Sequence, residues 1–162
     1  MKKIHPLKPI YNDKSKVLIL GSFPSVISRD NNFYYANPTN RFWKVLESLF
    51  NIKLNTNEEK TSILLKNNIA LWDVIASCDI HMSSDSSIKD IVPNDITKII
   101  KNSNIKYVFV NGKMAYKLYN KYLLNRVNIE AIYLPSTSSA NARYSLEKLI
   151  TSYSIILEYL KK

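Results

Sequence analysis

Four short runs of unbroken apolar residues do most to restrict what this chain can fold into. They are Val17-Leu18-Ile19-Leu20, Ile69-Ala70-Leu71-Trp72, Tyr107-Val108-Phe109-Val110 and Ala131-Ile132-Tyr133-Leu134. Each has the length of a strand, and continuous apolarity rather than alternation predicts strands covered on both faces. Helix-like segments lie between them. Residues 40–50 carry Phe42, Val45, Leu46, Leu49 and Phe50 on one stripe, and residues 58–66, 95–101 and 113–123 come next. A last helix is predicted over about residues 144–160, with Asn141 as its candidate N-cap. Strands alternating with helices predict a parallel sheet with helices on both faces, and ligands then bind beyond the carboxyl ends of the strands. The 162 residues suit one domain, taken as residues 1–162, and an apolar fraction of 46% can build its core.

The informative residues are therefore those just past the carboxyl end of each strand. After the first run comes Gly21-Ser22-Phe23-Pro24-Ser25, then the aromatic and amide-rich stretch FYYANPTNRFW, Phe33 to Trp43. After the second come Asp73 to Cys78 and then Ser83-Ser84-Asp85-Ser86-Ser87. After the third comes Asn111-Gly112-Lys113, and after the fourth Pro135-Ser136-Thr137-Ser138-Ser139-Ala140-Asn141. Gly21 and Gly112, the two glycines of the chain, both sit at strand ends, where they permit a positive φ or close approach of another group. Neither belongs to a G-x-G-x-x-G or a phosphate-loop pattern, which disfavours dinucleotide and P-loop chemistry. In a parallel sheet the four sets meet on one rim, aromatic on one side and rich in hydroxyls and amides on the other. That chemistry suits a flat heterocycle, stacked on its face and read at its edge.

Charge points the same way. The formal net charge is +10, from 23 Lys+Arg against 13 Asp+Glu, and seven bases with no acid fall between Ile96 and Ile129. A basic surface implies a polyanionic partner, usually nucleic acid and sometimes a membrane surface, and the alternative is a solvated face. No apolar run approaches the roughly 20 residues that span a bilayer, and the N-terminus lacks a signal-peptide core. The expectation is a soluble, intracellular, cytoplasmic protein with no membrane partner. Its single cysteine, Cys78, reads as a small buried residue, and no Cys/His cluster has zinc spacing. Asp73 reads as a loop anchor before a group acting on water; His5 and His81 carry no role.

The pieces ILGSFPS, YYANPTNRFW, LWDVIASCD, DSSI and LPSTSSANARYS, in this order between Val17 and Ser145, resemble the hypoxanthine-DNA (deoxyinosine) glycosylases of the uracil-DNA glycosylase superfamily. The resemblance implies a three-layer α/β/α sandwich with a central four-stranded parallel sheet. It also implies a monofunctional glycosylase, a monomer needing no metal or cofactor, that acts on DNA containing deaminated bases. The superfamily usually has Asp or Asn where this chain has Phe23, and His or Asn where it has Leu134. The hypoxanthine branch shares both departures, and in it asparagines that map onto Asn37 and Asn111 are expected to carry catalysis. Ser25 replaces a frequent glycine and Ser139 a frequent proline.

On this reading the enzyme rotates a nucleotide into the rim pocket. Ser22, Phe23, Tyr35 and Asn40 are the candidate base-binding residues, with Phe33 and Tyr34 as alternative stacking partners. Lys113, Ser136, Thr137, Ser138, Ser139, Asn141 and Arg143 are the candidate DNA contacts. Asn37 would position water or donate N–H to the leaving base. Two rivals stay open: an α/β hydrolase of free nucleosides or other small molecules, and a DNA-binding module without catalysis.

Overall fold

The computed structural model describes residues 2–80 and 88–162. The four apolar runs build one parallel sheet from β2 (Val17–Gly21), β3 (Ile69–Asp73), β6 (Tyr107–Asn111) and β7 (Ala131–Leu134), in the order β3-β2-β6-β7. Register sets Gly21 opposite Asp73 and Asn111 opposite Leu134, so all four strands end on one edge. Successive side chains of a strand point to opposite faces, and the core divides accordingly. Val17, Ile19, Ile69, Leu71 and Phe109 face α2 (Phe42–Phe50), α3 (Asn57–Lys66), α7 (Leu146–Tyr153) and α8 (Ile155–Lys161). Leu18, Leu20, Ala70, Val108 and Val110 face α4 (Thr97–Lys101) and α5 (Lys113–Tyr122). The three-layer sandwich expected from the sequence is the fold observed.

Three features depart from the sequence reading. The segment after β3 is not a loop. It forms β4 (Ile75–Ile80), which pairs antiparallel with β1 (Lys2–Ile4) and with β5 (Ile88–Pro93) in a second, small sheet. Ile75 and Cys78 of β4 pack under the α4 and α5 face, and Cys78 is buried as expected. The last helix is broken in two. Thr151 and Ser154 donate their hydroxyls back to the carbonyls of Glu147 and Thr151, which competes with the helical ladder near the break. Its N-cap is Ser145, whose hydroxyl accepts the Lys148 N–H, and not Asn141. Two further short helices, α1 (Val26–Asn31) and α6 (Leu124–Val127), complete the chain. Ser83 to Ser87, with Asp85, and His81 lie outside the described residues. Among the described residues no helix is long and apolar enough to cross a membrane.

Helix α2 carries the end of the aromatic stretch onto the sheet. Phe42 is fully buried, with Tyr35 stacked on it at 4.2 Å between ring centroids. Removing a buried aromatic side chain costs about 3–5 kcal/mol. Phe42→Ala is expected to lower the urea-unfolding free energy by about that amount with an unchanged m-value, and a loss below about 1 kcal/mol would contradict this packing.

Candidate active site

A cavity of about 300 Å³ opens at the carboxyl edge of the parallel sheet. It lies at the small end of the range of ligand pockets. Ten of the thirteen site residues expected from the sequence line it: Ser22, Phe23, Tyr35, Asn37, Asn40, Asn111, Lys113, Ser136, Thr137 and Ser138. Ser139, Asn141 and Arg143 do not. Ser139 and Arg143 are exposed, and Asn141 donates its amide N–H to the Ser136 carbonyl at 3.0 Å, tying the loop together.

The floor is a connected set of neutral groups. Asn111 donates its Nδ2 to the Tyr35 hydroxyl (3.2 Å) and to Thr137 Oγ1 (3.0 Å), and its Oδ1 accepts the Thr137 N–H (3.1 Å). Thr137 Oγ1 donates in turn to Asn40 Oδ1 at 2.8 Å. Asn40 Oδ1 also takes the Phe42 N–H at 2.9 Å, holding the first turn of α2. Thr137 is fully buried, so it joins the two loops and has no surface left for a phosphate. The Ser136 and Ser138 hydroxyls each accept a backbone N–H two residues on, the ordinary chemistry of a serine-rich turn.

Tyr35 is held under constraint. Its φ is 51°, a region that bulky residues avoid. Stacking on Phe42 and the bond from Asn111 keep it there. Burial, then the Asp73 charge, pushes its phenol far above the usual range, while the Asn111 bond opposes the rise, so Tyr35 stays protonated at physiological pH. Gly21 makes this arrangement possible: a Cβ at that position would lie 2.5 Å from Asp73 Oδ1 and 2.8 Å from the Tyr35 hydroxyl. Gly112, with φ of 97°, likewise lets the end of β6 close on Ser136.

The other aromatics of the first loop do not face the cavity in the same way. Phe33 stacks on Trp43 at 5.8 Å, and Tyr34, 4% exposed, donates its hydroxyl to the Lys8 carbonyl. Phe23 is half-buried, with the Arg29 guanidinium 5.4 Å above its ring. Asn37 sits higher, half-exposed, and its Oδ1 accepts both the N–H and the hydroxyl of Thr39, at 3.0 and 2.8 Å. Ser139 donates to that Thr39 hydroxyl at 3.2 Å, so it acts on Asn37 from outside the cavity. The oxygen of the Asn37 amide is thereby fixed, and its Nδ2 has no hydrogen-bond partner among the described residues.

Two groups central to the site carried no role in the sequence reading. Arg41 donates to the carbonyls of Thr137 (3.4 Å), Ser138 (2.8 Å) and Asn141 (3.2 Å), and to that of Tyr144. It pins the loop after β7 to the start of α2. His5, from the N-terminal segment, meets Asp73: its Nε2 lies 2.8 Å from Asp73 Oδ2, and its Nδ1 accepts the Leu7 N–H at 3.2 Å. Both side chains are almost wholly buried. No local signal marks either contact, because the partners are 68 to 103 residues apart.

Removing the guanidinium takes a charged donor from four carbonyls, three of which keep only a backbone N–H: Thr137 from Arg41, Ser138 from Asn141 and Asn141 from Tyr144. Arg41→Ala is expected to destabilise the fold by about 2–3 kcal/mol and to raise hydrogen exchange across residues 136–144 selectively. Uniform exchange changes across the whole chain would contradict the clamp.

The chain matches the model of the uracil DNA glycosylase superfamily over residues 8–161. It is 32% identical over 139 residues to a hypoxanthine DNA glycosylase of Methanosarcina barkeri, covering 83% of this chain and 86% of the relative. A hypoxanthine DNA glycosylase of Methanosarcina acetivorans is 33% identical over 139 residues, covering 84% and 87%. The solution NMR structure of a candidate uracil DNA glycosylase from Methanosarcina acetivorans superposes over all of both chains, with a TM-score of 0.84 and 30% identity. With the parallel sheet, the rim cavity and these matches together, the chain belongs to the uracil DNA glycosylase superfamily.

Proposed function

We propose that the protein is a monofunctional DNA glycosylase that releases hypoxanthine from deoxyinosine and leaves an abasic site. The observation that carries this reading is a rim cavity lined by the amides of Asn37, Asn40 and Asn111, in a chain that has Phe23 and Leu134 where a polar group is usual. Relatives named hypoxanthine DNA glycosylase support the choice of base. A base paired in a duplex is out of reach, so the nucleotide rotates out of the stack, at a cost that is smaller for a mispaired base. Phe23 and Tyr35 offer the aromatic surface against which it stacks.

Water then adds to C1′ as the bond from C1′ to the base breaks. The bond's electron pair leaves with the purine, and the water proton is lost to solvent or to the departing base. The sugar passes through an oxocarbenium-like state and negative charge grows on the ring. Asn37 is the catalytic residue of this reading: with its Oδ1 fixed by Thr39, it has an N–H to give the departing ring. A preorganised donor of this type is worth about 10²–10³ in rate. Asn111 is a positioning residue, because both ends of its amide are engaged by Tyr35 and Thr137.

DNA phosphates have Lys113 at the rim, at the start of α5, and Lys117 and Lys121 on the exposed face of the same helix. Lys98, Lys101, Lys106 and Arg126, also in the acid-free run, are not among the residues of the cavity. The neutral hydroxyls of Ser136 and Ser138 flank the mouth.

The test is a duplex oligonucleotide containing one deoxyinosine, incubated with excess protein and then split at abasic sites with alkali. Wild type is expected to give breaks only after alkali; breaks without alkali would overturn the monofunctional reading, and none at all would overturn the function. In the same single-turnover assay, Asn37→Ala is expected to be about 10²–10³ slower while still binding the duplex; a near-wild-type rate would remove Asn37 from catalysis. Binding should weaken as salt rises, and Lys113→Ala should lower the slope of log K against log salt by about one. An unchanged slope would place the phosphate path elsewhere.

A further inference from the structure

An exposed pair of aromatic rings beside the cavity has no part in the proposed mechanism. Tyr116 of α5 and Tyr133 of β7 are 39% and 41% exposed, and their ring centroids lie 5.8 Å apart. Tyr34, Tyr119 and Tyr153 are buried, and each donates its hydroxyl to a backbone carbonyl. Among the described residues neither Tyr116 nor Tyr133 has such a bond. Two large rings left partly in water add less stability than buried ones, because apolar stabilisation follows the area covered.

Their surroundings are basic. Positions 113, 116, 117, 120 and 121 share one face of α5, and Lys113, Tyr116, Lys117, Asn120 and Lys121 are all exposed there. Among the described residues these three lysines form no ion pair. The stripe begins at the cavity, which Lys113 lines. Tyr116 is one turn farther, about 5 Å along the axis, or about one to two nucleotide steps of a strand. Tyr133 comes one residue before Leu134, which pairs with Asn111 at the cavity edge, and β7 is the outer strand of the sheet. Glu130, the acid next to β7 in sequence, lies at the strand's other end. The two rings stand at 80° to each other, so a flat ring laid on one meets the other nearly at right angles.

We propose that Tyr116 and Tyr133 form a second nucleobase site, outside the cavity, that takes an unpaired base of single-stranded DNA while Lys113 and Lys117 hold the phosphates beside it. The site rests on the glycosylase reading only for its partner, DNA. Aromatic rings interleaved with lysines along a surface are the chemistry of single-strand binding: the rings stack on any base, and the cations follow the backbone. Paired DNA does not meet this description, because its bases are stacked on one another and offer no free face. The pair therefore engages strands that are unpaired next to the cavity, and leaves an intact duplex to the lysines.

The test uses strands without a lesion, so it is independent of base release. Binding of an oligothymidylate is compared by fluorescence anisotropy with binding of an abasic-spacer strand of equal length, which keeps the phosphates and lacks the bases. Wild type is expected to bind the thymidylate roughly five- to hundredfold tighter, the range of one stacked base. The double variant Tyr116→Ala/Tyr133→Ala should cut that preference at least fivefold with the salt slope unchanged. Lys117→Ala should do the reverse, lowering the slope by about one and keeping the preference. A double variant that retains the wild-type preference overturns the inference, since the bases are then held elsewhere, the rim cavity included. Should the double variant not fold, wild type decides by photo-crosslinking to a single strand containing 5-iodouracil. Adducts are expected on Tyr116 or Tyr133 by mass spectrometry, and adducts confined to other residues, or none, overturn the inference. Wild type that makes no abasic site at deoxyinosine overturns the glycosylase reading and leaves this binding result standing.

Discussion

The guanidinium of Arg41 donates to four carbonyls between Thr137 and Tyr144, and the cavity depends on this contact more than on any other. The loop after β2 and the loop after β7 are remote in sequence, and the serine-rich loop after β7 has little apolar content with which to fold onto the other. One planar group with several donors in a fixed fork can hold several backbone turns at once. Its bonds carry Thr137 beneath Asn40 and Asn111, and the Thr137 backbone and hydroxyl then complete the floor. Lysine, a single point donor, could not reproduce the geometry.

The floor this creates is neutral and closely packed, and holding it is unfavourable locally. Tyr35 occupies a left-handed conformation that costs a residue of its size about 1–3 kcal/mol. The cost is offset by stacking on Phe42 and by the Asn111 bond, and it is permitted only because Gly21 lacks a side chain. Sites with strain of this kind are usually sites of function. Here the strained tyrosine, the unsubstituted glycine and the buried carboxylate share one corner of the cavity.

Much of this was legible in the sequence, for reasons that can be named. The four central strands announced themselves because strands buried on both faces leave continuous apolar runs. The convergence of Gly21, Asn37, Asn111 and Ser136 came from parallel topology alone. The small sheet was not legible: Ile75-Ala76-Ser77-Cys78-Asp79-Ile80 mixes apolar and polar residues without a clean period, and β1 is three residues long. Asn141 looked like a cap because it precedes the last helix, yet the loop claimed its amide and Ser145 took the cap. Arg41 and His5 were invisible because their meaning lies in partners far along the chain. Thr137 read as a hydroxyl for DNA, and only its complete burial reveals a structural tie.

The central claim is that the rim cavity is the seat of a flipped purine, and free hypoxanthine titrated into 15N-labelled protein tests it most directly. The account predicts saturable amide shifts concentrated at Gly21, Ser22, Asp73, Asn111, Gly112 and Thr137, the residues around the cavity floor. Saturable shifts centred elsewhere, or none at millimolar base, would contradict it.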